Sequence, residues 1–93
     1  MADVARSYNN LGIVYQDLGQ YNEGKEYYEK ALIIRKKIFG EEHADVAASY
    51  NNLGSFYQDL GQYKEAKEYY KKALIIRKKT FGEEHAEVRQ RNQ

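Results

Sequence analysis

The sequence contains no cysteine, no long apolar run and no excess of charge of either sign, and each absence excludes a class of protein. Without cysteine, neither a disulfide nor a thiolate metal site can stabilise the fold. No apolar run approaches the roughly 18–20 residues of a membrane-spanning helix, and residues 1–6 lead into no signal-peptide core. The 15 Lys and Arg against 14 Asp and Glu leave a net charge of +1, which is not the basic footprint of a nucleic-acid or membrane-surface binder. We therefore expect a soluble cytoplasmic protein with no nucleic-acid partner and no membrane partner.

The most prominent feature of the sequence is an internal repeat. The hexapeptide SYNNLG stands at 7–12 and again at 49–54, and YQDLGQY follows each copy. Residues 1–42 and 43–84 differ at only eight aligned positions. Internal repetition at such a period is the signature of a stacked repeat array. We predict a single array over residues 1–93, with repeat 1 at about 1–42, repeat 2 at about 43–84 and a capping or partial third helix at 85–93.

Each unit has the pattern of two helices. Apolar residues in its first half recur at steps of three and four, which places them on one side of an α-helix. The second helix starts at about Asn22. Gly19 and Gly61 should end the first helices and Gly40 and Gly82 the second ones, because glycine readily adopts the left-handed conformation that terminates helices. The predicted fold is an all-α solenoid of two antiparallel helical hairpins plus a C-terminal helical stub. The apolar stripe of the first helix comprises Val4, Tyr8, Leu11, Val14, Tyr15 and Leu18.

The repeated residues resemble a known family. A large aromatic, a Leu-Gly pair, a tyrosine, a small residue, an aromatic and a second small residue recur as in tetratricopeptide repeats (TPRs). The unit length and the G-x-x-H-x-D-V linker resemble the long repeats of kinesin light chains. The resemblance implies that the helices of each hairpin approach closely at Gly12 and Gly54, with tyrosines filling the space around them. The matching positions are Tyr8, Leu11, Gly12, Tyr15, Gly24, Tyr28 and Ala31, then Tyr50, Leu53, Gly54, Tyr57, Ala66, Tyr70 and Ala73.

Asparagines in the first helices carry a peptide-binding prediction. Asn9, Asn10, Asn51 and Asn52 lie away from the apolar stripe, and asparagine is a poor helix former. By resemblance, the first helices line a concave groove in which such amides hold an extended peptide, donating and accepting at once. The alternative is that they are solvated residues kept by the repeat pattern. The implied groove comprises Arg6, Asn9, Asn10, Ile13, Gln16 and Asp17, then Ala48, Asn51, Asn52, Ser55, Gln58 and Asp59.

Nothing in the sequence assembles a catalytic or metal site. His43 and His85 occupy the same linker position one repeat apart, with no nucleophile or further ligand beside either. The basic clusters at 35–37 and 77–79 are each followed by a glutamate pair, which favours a solvated face over a phosphate site. Tyrosines at packing positions favour a core role over base stacking. We expect no enzyme activity, no metal and no cofactor.

Two functions remain open. The leading hypothesis is a non-catalytic scaffold for an extended peptide or protein segment, in a fragment of a longer array or an engineered, consensus-like array. A complete carboxylate clamp, as in chaperone-binding TPR domains, is not expected, because Gln90 replaces the third-repeat lysine and Asp17 and Asp59 discourage acidic ligands. The alternative is self-association, since Val4 and Val14 have no preceding repeat to cover them. Uncapped ends of this kind would give a homo-oligomer, either a dimer or a stacked or helix-exchanged assembly.

Overall fold

The computed structural model describes residues 1–82, and over that range the chain forms four α-helices. Helix α1 packs against α2 and α3 packs against α4, which gives two helical hairpins, and α2 contacts α3 to join them. The predicted all-α helical repeat architecture is thereby confirmed. The predicted stub at 85–93 lies outside the described residues. The elements are α1 (Ala2–Asp17), α2 (Tyr21–Phe39), α3 (Ala44–Asp59), α4 (Tyr63–Arg77) and a π-helical segment, Lys78–Gly82.

Glycine follows the first three helices, as the sequence predicts. Gly19, Gly40 and Gly61 have φ angles of 78°, 85° and 78°, a left-handed region that residues with a Cβ disfavour. The fourth helix differs from the prediction, because α4 ends at Arg77 and the chain continues to Gly82 as a π-helical segment. The second helix of the first hairpin begins within one residue of the predicted Asn22.

The two helices of each hairpin meet at a glycine. A Cβ on Gly12 would lie 2.7 Å from Cδ1 of Tyr28, and one on Gly54 would lie 2.7 Å from Cε1 of Tyr70. Both distances are far shorter than van der Waals contact, so this approach requires a residue without a side chain. The Tyr28 ring fills the space beside Gly12 and is only 2% exposed. The close approach that the family resemblance implies is confirmed.

Each hairpin carries the same stack of tyrosine rings. Tyr27 of α2 stacks on Tyr15 with ring centroids 5.4 Å apart, and on Tyr8 at 5.8 Å. The Nζ of Lys30 lies 5.5 Å from the centre of the Tyr8 ring, within the range of a cation–π interaction. The repeated sequence therefore reproduces its side-chain packing as well as its helices. The second hairpin has the equivalent stack of Tyr69, Tyr57, Tyr50 and Lys72.

The most buried aromatic contacts lie between the hairpins. Phe56 of α3 is 2% exposed, and its ring meets those of Tyr21 and Tyr28 of α2 edge-on, with centroids 5.9 and 6.0 Å apart. Leu53 belongs to the same buried cluster, and Leu32 of α2 packs against it. Edge-to-face aromatic pairs contribute about 0.5–1.5 kcal/mol each beyond their buried area. Much of the core therefore forms only when one unit packs against the next, as expected of a repeat array.

The outer faces of the two hairpins are apolar and exposed. On α1, Val14 is 52% exposed, and on α4, Tyr63 and Leu74 are 68% and 52% exposed. The equivalent positions at the boundary between the units are covered, since Phe56 corresponds to Val14 and Leu32 corresponds to Leu74. Within residues 1–82, each hairpin thus has a neighbour on one side only.

Candidate functional site

The predicted groove residues lie on α1 and α3, and we call them together the α1–α3 surface. Two side-chain hydrogen bonds connect these helices, and both join a residue to the one 43 positions later in the chain. Because both bonds have the same spacing, close to the 42-residue repeat length, near-equivalent positions of the two units lie side by side on this surface. Its members are Arg6, Asn9, Asn10, Ile13, Gln16 and Asp17 on α1 and Ala48, Asn51, Asn52, Ser55, Gln58 and Asp59 on α3.

Asn9 is the most buried polar member of the α1–α3 surface. It is 9% exposed, and its Oδ1 accepts a hydrogen bond of 2.7 Å from Nδ2 of Asn52. The family resemblance implied that Asn9 faces a ligand, whereas the structure buries its side chain between α1 and α3. A buried amide without a partner costs about 1–3 kcal/mol, so this bond is what makes the burial tolerable. Both amides are already engaged in holding the two units together.

Gln16 forms the second connection between the units. Its Oε1 accepts a hydrogen bond of 2.7 Å from the Tyr28 hydroxyl, and its Nε2 donates one of 3.3 Å to Oδ2 of Asp59. Burial raises the pKa of Tyr28 to about 12, and the carboxylates of Asp17 and Asp59 act in the same direction. The Tyr28 hydroxyl therefore remains a donor over the whole neutral range. The second hairpin repeats the first of these bonds, from Tyr70 to Gln58 at 2.8 Å.

Four members of the surface are open to a ligand. Asn10, Asp17 and Ser55 are exposed polar side chains. Ile13 is 40% exposed and supplies an apolar contact beside them. The open residues therefore offer amide and hydroxyl hydrogen bonds, one apolar patch and negative charge.

The remaining members have partners of their own or are partly buried. Nη2 of Arg6 lies 3.0 Å from Oδ1 of Asp3, in a solvated pair that contributes little to stability. Oδ1 of Asn51, with the amide turned so that its oxygen faces the guanidinium, accepts a hydrogen bond of 2.6 Å from Nη1 of Arg77. Ala48 is half-buried. The surface thus combines a fixed framework with a few open positions.

Two basic side chains have packing roles that sequence reasoning missed. Nδ1 of His43 accepts a hydrogen bond of 2.9 Å from the backbone N–H of Asp45, so His43 caps the N-terminus of α3. Its ring stacks on Phe39 at 4.2 Å. Nη1 of Arg35 donates to Oγ of Ser49 at 2.9 Å, across the boundary between the units. The available signal in the sequence was position, because His43 stands at the predicted start of repeat 2.

Comparison with known families decides the classification. The chain matches the family model described as tetratricopeptide repeat over residues 3–79 and again over residues 45–90. The chain belongs to the tetratricopeptide repeat family. The two TPR matches begin one repeat apart, in agreement with the duplicated sequence. No curated protein sequence matches the chain at a significant level.

As a TPR protein, the chain has the helical repeat fold of a protein-interaction family. The resemblance of its long TPR units to those of kinesin light chains stays a prediction. No helix within residues 1–82 is long and apolar enough to cross a membrane.

Proposed function

We propose that this TPR chain is a non-catalytic protein-interaction scaffold that binds an extended peptide on its α1–α3 surface. The observation that carries the proposal is the combination of exposed Asn10, Ile13 and Ser55 with a framework held by the bond between Asn52 and Asn9. A surface fixed before binding loses little conformational entropy when the ligand arrives. Membership of a protein-interaction family supports the same function.

The charges of the surface favour a neutral or basic ligand. Asp17 and Asp59 are exposed on it, while the guanidinium of Arg6 is paired with Asp3. The amide of Asn10 can donate to a peptide carbonyl and accept from a peptide N–H at the same time. We therefore expect an extended segment with a lysine or arginine near Asp17 and an apolar residue beside Ile13.

A peptide selected on the 93-residue chain tests this proposal. A display library of extended peptides supplies the probe, and titration calorimetry gives its affinity for the wild type, Asn10→Ala and Asp17→Asn. We expect each substitution to weaken binding about tenfold, the effect of losing one hydrogen bond or one charge pair. The selected sequences should be enriched in lysine and arginine.

The control is Asn22→Ala, which removes an exposed asparagine at the start of α2, outside the surface. It should keep the wild-type affinity, and circular dichroism should show the same helix content for all variants. Selection that yields no binding peptide contradicts the proposal. So does an equal loss of affinity in Asn10→Ala and Asn22→Ala, because binding would then lie elsewhere.

A second candidate function is self-association, favoured by the apolar outer faces of the array. Val14 on α1 and Leu74 on α4 are each 52% exposed, with further apolar side chains beside them. Contiguous exposed apolar surface is typical of interaction sites. Sedimentation of the wild type from micromolar to millimolar concentration tests this candidate. A mass that rises with concentration supports it, and a monomer at every concentration rules it out.

A further inference from the structure

The outer face of α4 contains a pocket of about 340 Å³. Its apolar lining comprises Tyr63, Ala66, Tyr70 and Leu74, which we call the tail face. Tyr63 is 68% exposed and Leu74 is 52% exposed, so nothing within residues 1–82 closes the pocket.

The same pocket exists in the first hairpin, where it is filled. Its aromatic walls there are Tyr21 and Tyr28, and the residue that fills it is Phe56 of α3, at ring distances of 5.9 and 6.0 Å. Leu32, the equivalent of Leu74, packs against this cluster. The structure therefore shows what fits such a pocket: the first helix of the following unit.

A second surface matches that occupant. Helix α1 has the same sequence as α3 at most positions and exposes the equivalent side chains, which we call the head face. In α3, the equivalents of three of its members, Val46, Leu53 and Phe56, are at most 2% exposed. The head face comprises Val4, Leu11, Val14 and Leu18, exposed by 41%, 40%, 52% and 62%.

We propose that two copies of this chain join head to tail, with the head face of one copy packed into the tail face of the next. This inference rests on the second candidate function, self-association, and specifies its interface. It reproduces between copies the contact that α2 and α3 make within one copy. Because the two faces are different surfaces, each dimer keeps one free head and one free tail, and the assembly stays open-ended.

Polar residues at the two faces extend the match. Within the chain, Gln16 bonds Asp59 and Asn9 bonds Asn52 across the boundary between the units. Between two copies in the same register, Gln58 of one copy would meet Asp17 of the next. Asn51, whose Oδ1 already accepts from Arg77, would lie beside Asn10 of the next copy. The pair of Gln58 and Asp17 therefore gives the head-to-tail contact polar as well as apolar complementarity.

The other candidate occupant is the segment 83–93 of the same chain, and its sequence fits less well. Arg89 and Arg91 stand at the positions of Ala47 and Ser49, which are 0% and 1% exposed in α3. Large charged side chains at fully buried positions are costly unless they find partners. A second copy, with its small and apolar residues intact, is the better occupant.

Two blocked variants test the head-to-tail arrangement. Val14→Glu places a charge in the head face, and Leu74→Glu places one in the tail face. We expect the wild type to grow beyond a dimer with rising concentration in sedimentation experiments. Each variant alone should remain monomeric, and an equimolar mixture should form a 1:1 heterodimer, because each still has one intact face.

Ile75→Glu is the matched control for Leu74→Glu. Ile75 is 55% exposed on the same helix, but its equivalent Ile33 stays 54% exposed where the units meet, so this position lies outside the contact. The control should associate like the wild type. Val14→Phe, which installs the residue of the second unit, should associate about tenfold more tightly, because the larger ring buries more apolar area.

Several outcomes would overturn the inference, and they are distinguishable from failure of self-association itself. If Leu74→Glu alone still dimerises, the contact is head to head. If the wild type associates but the mixture of blocked variants stays monomeric, another interface is responsible.

A wild type that is monomeric throughout removes the second candidate function together with this inference. If Leu74→Glu then lowers the melting temperature, segment 83–93 of the same chain covers the tail face. Because Asn10 and Asp17 serve both proposals, peptide binding is titrated at a concentration where the chain is monomeric, and its outcome is then separate from these results.

Discussion

The ring of Phe56 lies edge-on against the ring of Tyr28, with centroids 6.0 Å apart and an angle of 79° between the planes. The two residues belong to different repeats, Tyr28 to α2 and Phe56 to α3. Both are 2% exposed. Neither hairpin can therefore bury its own aromatic side chain without the other, and the stability of each unit depends on its neighbour.

Removal of the Phe56 ring should strongly destabilise the whole chain. We expect Phe56→Ala to lower the free energy of unfolding by about 3–5 kcal/mol, the usual cost of deleting a buried phenylalanine. Val14→Ala is the matched control, since Val14 is the equivalent residue but is 52% exposed, and it should cost less than about 1 kcal/mol. Urea titration followed by circular dichroism gives both values. Equal effects would mean that the boundary between the units contributes no core.

The glycine at the crossing of α1 and α2 should not tolerate even one methyl group. A Cβ at Gly12 would lie 2.7 Å from Cδ1 of Tyr28, whose side chain is only 2% exposed, so Gly12→Ala should cost about 1–3 kcal/mol. Gly24→Ala is the control. The nearest atom to its Cβ would be 3.2 Å away, and the second unit has Ala66 at this position. We expect Gly24→Ala to be neutral or to raise stability by up to about 1 kcal/mol, the helix propensity of alanine over glycine. Chemical denaturation of both variants decides the matter, and a Gly12→Ala protein as stable as wild type would contradict the packing.

The bond between Asn52 and Asn9 should appear as coupling in a double-mutant cycle. We expect Asn9→Ala and Asn52→Ala to be non-additive, with a coupling energy of about 0.5–1.5 kcal/mol, because either substitution alone already removes the hydrogen bond. The cycle formed by Asn22→Ala with Asn52→Ala should be additive, since Asn22 is exposed at the start of α2. Coupling near zero in the first cycle would show that the two amides act independently.

Stability should decline at alkaline pH through Tyr28. Burial holds the folded-state pKa of Tyr28 at about 12, above the value of about 10 for an unfolded chain. The protonated hydroxyl therefore stabilises the fold fully below about pH 10, and this contribution is lost as the pH rises from about 10 toward 12. Tyr69, whose pKa burial also raises, adds a change of the same sign.

Tyr28→Phe should make that alkaline decline shallower. Tyr70→Phe is the control, because it removes the equivalent hydroxyl and its bond to Gln58 from a ring that is less buried. Thermal melts between pH 8 and 12 compare the two variants with the wild type. This range includes the unfolded and folded pKa values of Tyr28. A Tyr28→Phe protein that loses stability as steeply as wild type would refute the assignment.

Local pattern was sufficient to predict the helices, and the family resemblance supplied the hairpin crossing at Gly12 and Gly54. The spacing of apolar residues and the positions of Gly19, Gly40 and Gly61 depend on the chain near each residue, so the sequence contains them directly. The prediction for the fourth helix was only partly right. Helix α4 ends at Arg77, and a π-helical segment, not α-helix, extends to Gly82. That change of helix type has no counterpart in the first unit, whose sequence is nearly the same.

The candidate site could be predicted only in outline. The pattern placed Asn9 on the same face as Asn10, and it could not show that Asn52 of the next unit would bury Asn9 while Asn10 stayed exposed. For the same reason, the sequence could not show that Arg35 donates a hydrogen bond to Ser49 of the next unit. Periodicity tells which side of a helix a residue occupies, but contacts between units depend on how the helices cross.

Hydrogen exchange at two buried amides tests most directly whether the hairpins share one core. Ala31 in α2 and Ala73 in α4 are 0% and 1% exposed, one in each unit. We expect Phe56→Ala to lower the opening free energy of both amides by about the same amount, because each unit packs against the other. If the substitution lowers protection at Ala73 and leaves Ala31 unchanged, the hairpins are independent and the shared core does not exist.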